Sequence, residues 1–222
     1  MNPTQAVLDA ITANDPALAR QLVEQSPDAA RGVGTGGESP VLAAIYRGHA
    51  DLAAFIASHR DLTLPEAAAL GAVQATRRIL ARDPASIRAR SSDGWTALHL
   101  AAFMGHEEVA CALLDHGADI EAVSTNSIAN RPLHAALAGK GSREVIETLI
   151  DRGADVNARA ELDLTPLHLA AARGNMPITR RLIEMKVDPA ARMTDGKRPA
   201  DYAAERGHPE VAALLNGLTG AS

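Results

Sequence analysis

Apolar positions along the chain keep a helical rhythm that stops and restarts at short intervals. Leu98, Ala101 and Ala102 fall on one face of a predicted helix, and Val109, Ala110, Leu113 and Leu114 on one face of a second. Gly105 separates the two. After the second comes Asp115-His116-Gly117-Ala118-Asp119, in which Gly117 fits the left-handed residue that commonly closes a helix. Asp151-Arg152-Gly153-Ala154-Asp155-Val156-Asn157-Ala158 ends another such pair. Pro40, Pro132, Pro166 and Pro199 sit in the first turn of a first helix, where a missing N–H has no cost. Polar stretches suited to a turn or short hairpin separate the pairs.

Glycines set the period. Gly105, Gly141, Gly174 and Gly207 lie 36, 33 and 33 residues apart, each where a first helix would end, and Gly48, Gly71 and Asn14 extend the series. Self-similarity at this period marks a stack of repeats, each burying its apolar face against its neighbours. Seven repeats result, near residues 4–34, 35–61, 62–89, 90–124, 125–158, 159–191 and 192–218, as a single domain over 1–222. Two places break the period. Gly48 to Gly71 is only 23 residues, which predicts a missing turn finger between repeats 2 and 3 and a notch beside Tyr46. Val123–Asn130 is two residues longer than the stretch before Thr165, which lengthens that finger. Arg20, Gln21, Glu24 and Gln25 in repeat 1 and the polar repeat 7 read as solvent-facing caps of a complete array.

The repeated words are specific. Trp95-Thr96-Ala97-Leu98-His99-Leu100-Ala101-Ala102 recurs as Thr165-Pro166-Leu167-His168-Leu169-Ala170-Ala171 and as Arg131-Pro132-Leu133-His134-Ala135-Ala136; Gly48-His49, Gly105-His106 and Gly207-His208 open second helices. The pattern resembles the ankyrin repeat over nearly the whole chain, most strongly in repeats 4–7. The resemblance implies an all-α solenoid of about seven helix-turn-helix units with short turn or hairpin fingers. It also implies that His99, His134 and His168 make hydrogen bonds tying neighbouring turns together, and that partners are contacted on the concave face.

Composition narrows the setting. The net charge is −5 and the pI about 5.9, which argues against sequence-independent binding of a polyanion. Cys111 has no disulfide partner within the chain, which fits a reducing, cytoplasmic compartment. No secretory leader and no membrane-length apolar run is present in the sequence, so no membrane association is expected. The 19 arginines against 3 lysines suggest a GC-rich, bacterial genome.

Catalytic chemistry finds little support. The histidines of successive repeats are separated along the stack, whereas a metal needs three or four ligands at one point. No metal, cofactor or catalytic residue is therefore expected. Cys111 sits among Glu107, Glu108 and Asp115, a poor setting for a reactive thiol. Gly32-Val33-Gly34-Thr35-Gly36-Gly37 lacks the lysine and the preceding strand of a phosphate loop. The positions the scaffold leaves free are more telling: three of the five aromatic residues, Tyr46, Trp95 and Phe103, fall on them. Tyr46, Trp95, Phe103, Met104, Leu137, Leu164, Arg173 and Arg206 are the expected contacts for a protein partner of unknown identity, bound by a non-catalytic, monomeric scaffold. The alternative is a nucleic-acid-associated or regulatory adaptor using Arg77, Arg78, Arg82, Arg88 and Arg90. An enzyme with a pocket invisible in the sequence ranks last.

Overall fold

The computed structural model describes residues 2–220. The chain divides into two compact units, Met1–Ala101 with Glu108–Ala118, and Ala102–Glu107 with Asp119–Ser222. The first holds α1 (Pro3–Thr12), α2 (Pro16–Gln25), the single turn α3 (Asp28–Arg31), α4 (Pro40–Tyr46), α5 (Ala50–Ala57), α6 (Leu64–Ala69) and α7 (Val73–Arg82). The division falls within α8 (Ala97–Met104) and α9 (Glu107–Asp115). The second unit continues with α10 (Pro132–Ala138), α11 (Arg143–Asp151), α12 (Pro166–Ala172), α13 (Met176–Glu184), α14 (Pro199–Glu205) and α15 (Pro209–Thr219). Among the described residues there is no strand, and a lone bridge pairs Arg90 with Thr96.

Alanine decides how closely the helices approach. Ala44, Ala67, Ala68, Ala101, Ala102, Ala135, Ala136, Ala170, Ala171 and Ala203 are fully buried on first helices, while second helices contribute Leu52, Ile56, Leu80, Val109, Leu113, Ile146, Leu149 and Leu182. Small residues on one side and branched ones on the other fill the space between short helices at interior density.

Several first helices share a capping device. In repeats 3, 4, 6 and 7 the side chain three positions into the helix turns back to the N-cap, and in repeats 3, 5 and 6 it reaches a neighbouring repeat. In α12, Thr165 Oγ1 accepts from the His168 N–H, and the Thr165 N–H donates to His168 Nδ1 at 3.3 Å. With Nδ1 accepting, the proton sits on Nε2, which donates to the Lys197 carbonyl of the next repeat at 3.2 Å. Thr96 Oγ1 likewise meets His99 Nδ1 at 2.8 Å, and His134 Nε2 donates to the Leu164 carbonyl at 3.1 Å. The inter-turn hydrogen bonds implied by the resemblance are thus present at His134 and His168. Repeat 5 has Arg131 where repeats 3, 4 and 6 have threonine, so its N-cap offers no side-chain oxygen and His134 Nδ1 is buried without a hydrogen-bond partner. Burial holds the His134 pKa down, to about 4, against the opposing bond to the Leu164 carbonyl.

Repeat 3 puts Glu66 in the histidine position, and this explains how the chain manages without a finger there. Glu66 Oε2 accepts from the Thr63 N–H at 2.8 Å, closing a capping box. Its Oε1 accepts from Ser39 Oγ at 2.5 Å and pairs with Arg60 Nη1 at 3.3 Å. Arg60 also donates to the Ala30 and Gly32 carbonyls, each at 3.2 Å. Both side chains are buried, 8% and 1% exposed, and this network fills the space the shortened repeat leaves. The notch itself is bridged. Tyr46 Oη–H donates to Asp93 Oδ2 at 2.8 Å, from repeat 2 to the finger of repeat 4. A Cβ on Gly37 would lie 3.8 Å from Ser92 Cβ, so fingers 2 and 4 are direct neighbours.

Removing one member of the buried pair leaves the other charge uncompensated. Glu66→Ala is expected to lower unfolding free energy by about 3–5 kcal/mol, and Glu66→Gln by less, in urea titrations followed by circular dichroism. His134 gives a pH dependence of defined sign. Its folded pKa lies below its unfolded value near 6.5, so the unfolded chain binds the extra proton, and stability is complete above pH 6.5 and falls toward pH 4. The loss expected is about 3 kcal/mol, from 1.36 kcal/mol per pKa unit, and His134→Gln should flatten that part of the profile.

Candidate functional site

The expected partner contacts divide into exposed, half-buried and core positions. In the first unit Tyr46 is 45% exposed, with burial at its hydroxyl end and the Asp93 carboxylate together raising its pKa. Trp95 is 8% exposed, its ring centroid 5.8 Å from that of His99, so its bulk packs the turn. In the second unit Phe103, Met104 and Leu164 are half-buried, and Arg173 and Arg206 are exposed. Leu137 is corrected: it is 1% exposed and belongs to the core. Its helix ends in an extended Gly139 (φ −93°, ψ −151°), not in the left-handed glycine of the other repeats, and Leu137 is carried inward.

The extra Gly139 has its own explanation. A Cβ there would come within 2.4 Å of Phe103 Cδ2 and 2.3 Å of the Phe103 carbonyl oxygen, and the next N–H, of Lys140, donates to that carbonyl. The Phe103 ring rests directly on the Gly139 backbone. Arg173 is also engaged, its Nη2 donating to the Ala138 carbonyl, where a cation suits the C-terminal end of α10. Lys197 pairs with Glu205 at 2.9 Å and lies over the Tyr202 ring.

The finger tips of repeats 5 and 6 carry residues that the sequence reading passed over. Two residues before the N-caps of repeats 2, 4 and 7 the backbone is left-handed: Gly37, Gly94 and Gly196 have φ of 85°, 83° and 82°. The equivalent positions in repeats 5 and 6 are Ala129 (φ 46°) and Asp163 (φ 60°), neither of them glycine. The preceding tip residue is Asp93 or Asp195 in repeats 4 and 7 but Ile128 or Leu162 here. Ile128 and Leu162 are 49% and 55% exposed, and Leu162 itself has φ 60°. The Glu161 N–H donates to the Ile128 carbonyl at 3.1 Å, holding the two apolar tips side by side. The visible signal was the replacement of Asp-Gly by Ile-Ala and Leu-Asp.

Other candidates have structural roles. The rings of His59 and His116 bond the Phe55 and Ala112 carbonyls at the ends of second helices, at 2.8 and 2.7 Å. In the glycine-rich loop, Glu38 Oε2 accepts from the Gly36 N–H at 3.0 Å, so the chain supplies its own anion there. Cys111 is half-buried on α9. Among the described residues, no three His, Cys, Asp or Glu side chains gather as metal ligands, and no helix is long and apolar enough to cross a membrane.

Helix pairs at this period, closed by Thr-x-x-His caps and joined by short fingers, are matched by a family model described as ankyrin repeats (3 copies), over residues 7–124, 64–160 and 133–221. The chain belongs to the ankyrin-repeat family. Its all-α fold is that of an ankyrin solenoid. It is similar to a transient receptor potential cation channel subfamily A member 1 homolog of Caenorhabditis elegans, 35% identical over 152 residues, 68% of this chain and 12% of that protein. Tyrosine-protein kinase Shark of Drosophila melanogaster is 36% identical over 128 residues, 57% of this chain and 13% of its own. B-cell lymphoma 3 protein of Homo sapiens is 33% identical over 181 residues, 81% of this chain and 37% of its own. The chain therefore spans well under half of each of these relatives. Ankyrin repeats generally mediate protein–protein interaction and are generally non-catalytic scaffolds.

The left-handed alanine at the tip of finger 5 is a measurable strain. Ala129→Gly is expected to raise stability by about 0.5–1 kcal/mol, the relief of a left-handed L-residue offset by the entropy of glycine. Thermal and urea unfolding check it; a loss of stability would mean that the Ala129 methyl group packs against something that matters more than its backbone strain.

Proposed function

We propose that this ankyrin array is a non-catalytic scaffold that binds a protein partner on its concave face, with the finger tips of repeats 5 and 6 as the apolar centre. The observation that carries the reading is the pair Ile128 and Leu162: exposed, adjacent, and set on turns that give up glycine where the backbone is left-handed. Strain kept at an exposed tip is most economically explained by a contact made there. Phe103, Met104 and Leu164 extend the apolar area within the same unit, and Arg206 supplies a rim charge. In the first unit Tyr46 occupies the corresponding exposed position. Since the fingers are already ordered by backbone hydrogen bonds, association loses little further conformational entropy. The lone Cys111 supports a reducing, cytoplasmic setting for this activity.

The test is retention of a protein partner from a lysate by the wild type and by Ile128→Ser/Leu162→Ser, with helicity and Tm shown to match. A partner lost at least tenfold by the double variant is expected, in line with residues at the centre of an interface. Equal retention would move the site off the fingers, and Arg206→Glu would then be compared alone.

A further inference from the structure

The arginines clustered in the sequence of repeat 3 are separated by the fold. Arg90 Nη1 donates to the Gly94 carbonyl at 2.8 Å and so is committed to its own turn. Arg78 and Arg82 instead line a groove of about 390 Å³ within the first unit. One wall is a single face of α7, with Ala75, Arg78, Ile79 and Arg82 at helical spacing. The other is the end of α5 and the short link to α6, with Ala57, Arg60, Asp61 and Leu62. This link is only residues 58–63, the same shortening that removes a finger. Past Arg60 and Asp61 the groove adjoins a second hollow, lined by Arg31, Ser58 and His59.

The charges in this groove differ in how far they are satisfied. Arg60 is neutralised by Glu66, and Arg31 by Asp28 at 3.2 Å. Arg78 spends its Nε on the Gln74 carbonyl, and no carboxylate lies within ion-pair distance of Arg78 or Arg82 among the described residues. Asp61, across the groove, leaves it with a net positive balance. Arginines four apart on a helix stand about 6 Å apart. Side chains on the same side of an extended peptide repeat at about 6.6 Å. Two carboxylates at alternate positions of an extended segment therefore match both guanidinium forks, which bind carboxylates in a bidentate manner. Ala57, Leu62, Ala75 and Ile79 accommodate an apolar side chain beside them. A nucleic acid fits less well, because Asp61 and Asp83 interrupt the basic surface, Arg90 is withdrawn from it, and the chain is net acidic.

We infer that the α5–α7 groove is a second binding site, on the second-helix side of the repeats, for an acidic, extended segment of a partner protein. It is independent of the concave-face reading, since neither its residues nor its ligand chemistry is shared with the fingers. The probe is a short fluorescein-labelled peptide of repeating Glu-Leu-Glu-Ser, with the same peptide carrying Gln for Glu as control and a single-stranded DNA of similar length as competitor class. Fluorescence anisotropy on the full chain should give saturable, salt-sensitive binding of the Glu peptide and none of the Gln peptide. Arg78→Glu/Arg82→Glu, both exposed positions, should weaken it at least tenfold, and Arg78→Lys/Arg82→Lys should weaken it less. Ile128→Ser/Leu162→Ser should leave it unchanged. The inference is overturned if the wild type does not bind the Glu peptide, if the charge-reversed protein binds it equally, or if the DNA binds as tightly as the peptide.

Discussion

A buried polar side chain at the third position of the first helix is the fixing point of repeats 3, 5 and 6. His168 shows the full device: its Nδ1 accepts from the Thr165 N–H and its Nε2 donates to the Lys197 carbonyl of the next repeat. A repeat too small to bury a core of its own is thus oriented by one polar group held in a single tautomer. That group is buried, so its ionisation is expensive, and the lowered pKa of His134 and His168 is the electrostatic expression of the same geometry. Neighbouring fingers depend on it too, because each finger carbonyl that receives the imidazole N–H lies just before the next N-cap.

Changing the residue at this point changes the repeat around it. A histidine presents a donor at its far end and needs a finger carbonyl to receive it. The missing finger is the one before repeat 3, and Glu66 in the same position needs donors on that side instead. Ser39 and Arg60 supply them from the preceding repeat, while Thr63 keeps the cap. The shortened link and the acidic residue are thus one structural solution: the acid reaches back where the histidine reaches forward. Tyr46 and Asp93 then span the gap directly. Repeat 7 makes a related choice, with Asp201 accepting from the Arg198 N–H at 2.8 Å and ion-paired to its side chain.

Most of the architecture was legible because it is periodic. Proline in first turns, glycine after first helices and the Thr-x-x-His cap are local signals with local causes, and they place the helices directly. Contacts without a period were not legible. Nothing near Arg60 in the sequence points to Glu66 as a buried partner, nor Tyr46 to Asp93 across 47 residues. The burial of Leu137 was missed for a different reason: its position was assigned by analogy with Phe103, but the inserted Gly139 alters how α10 ends. The apolar tips Ile128 and Leu162 were readable in principle, as departures from the Asp-Gly of fingers 4 and 7.

These departures share a physical logic. Where every local preference agrees with the repeat, a residue is explained by folding alone, and nothing more is learned from it. Ile128, Ala129, Leu162 and Asp163 oppose the local preference for polar tips and left-handed glycine; Asp163 has only a half-exposed ion pair with Arg159, at 3.3 Å, and Ile128 and Leu162 stay exposed. Arg78 and Arg82 likewise line a groove whose carboxylate, Asp61, pairs with neither among the described residues, although the chain has more acids than bases. Glu66 also breaks the pattern, but it is fully bonded inside the molecule, so its departure is already accounted for. The distinction between compensated and uncompensated departures separates the scaffold of this protein from the surfaces on which a partner would act.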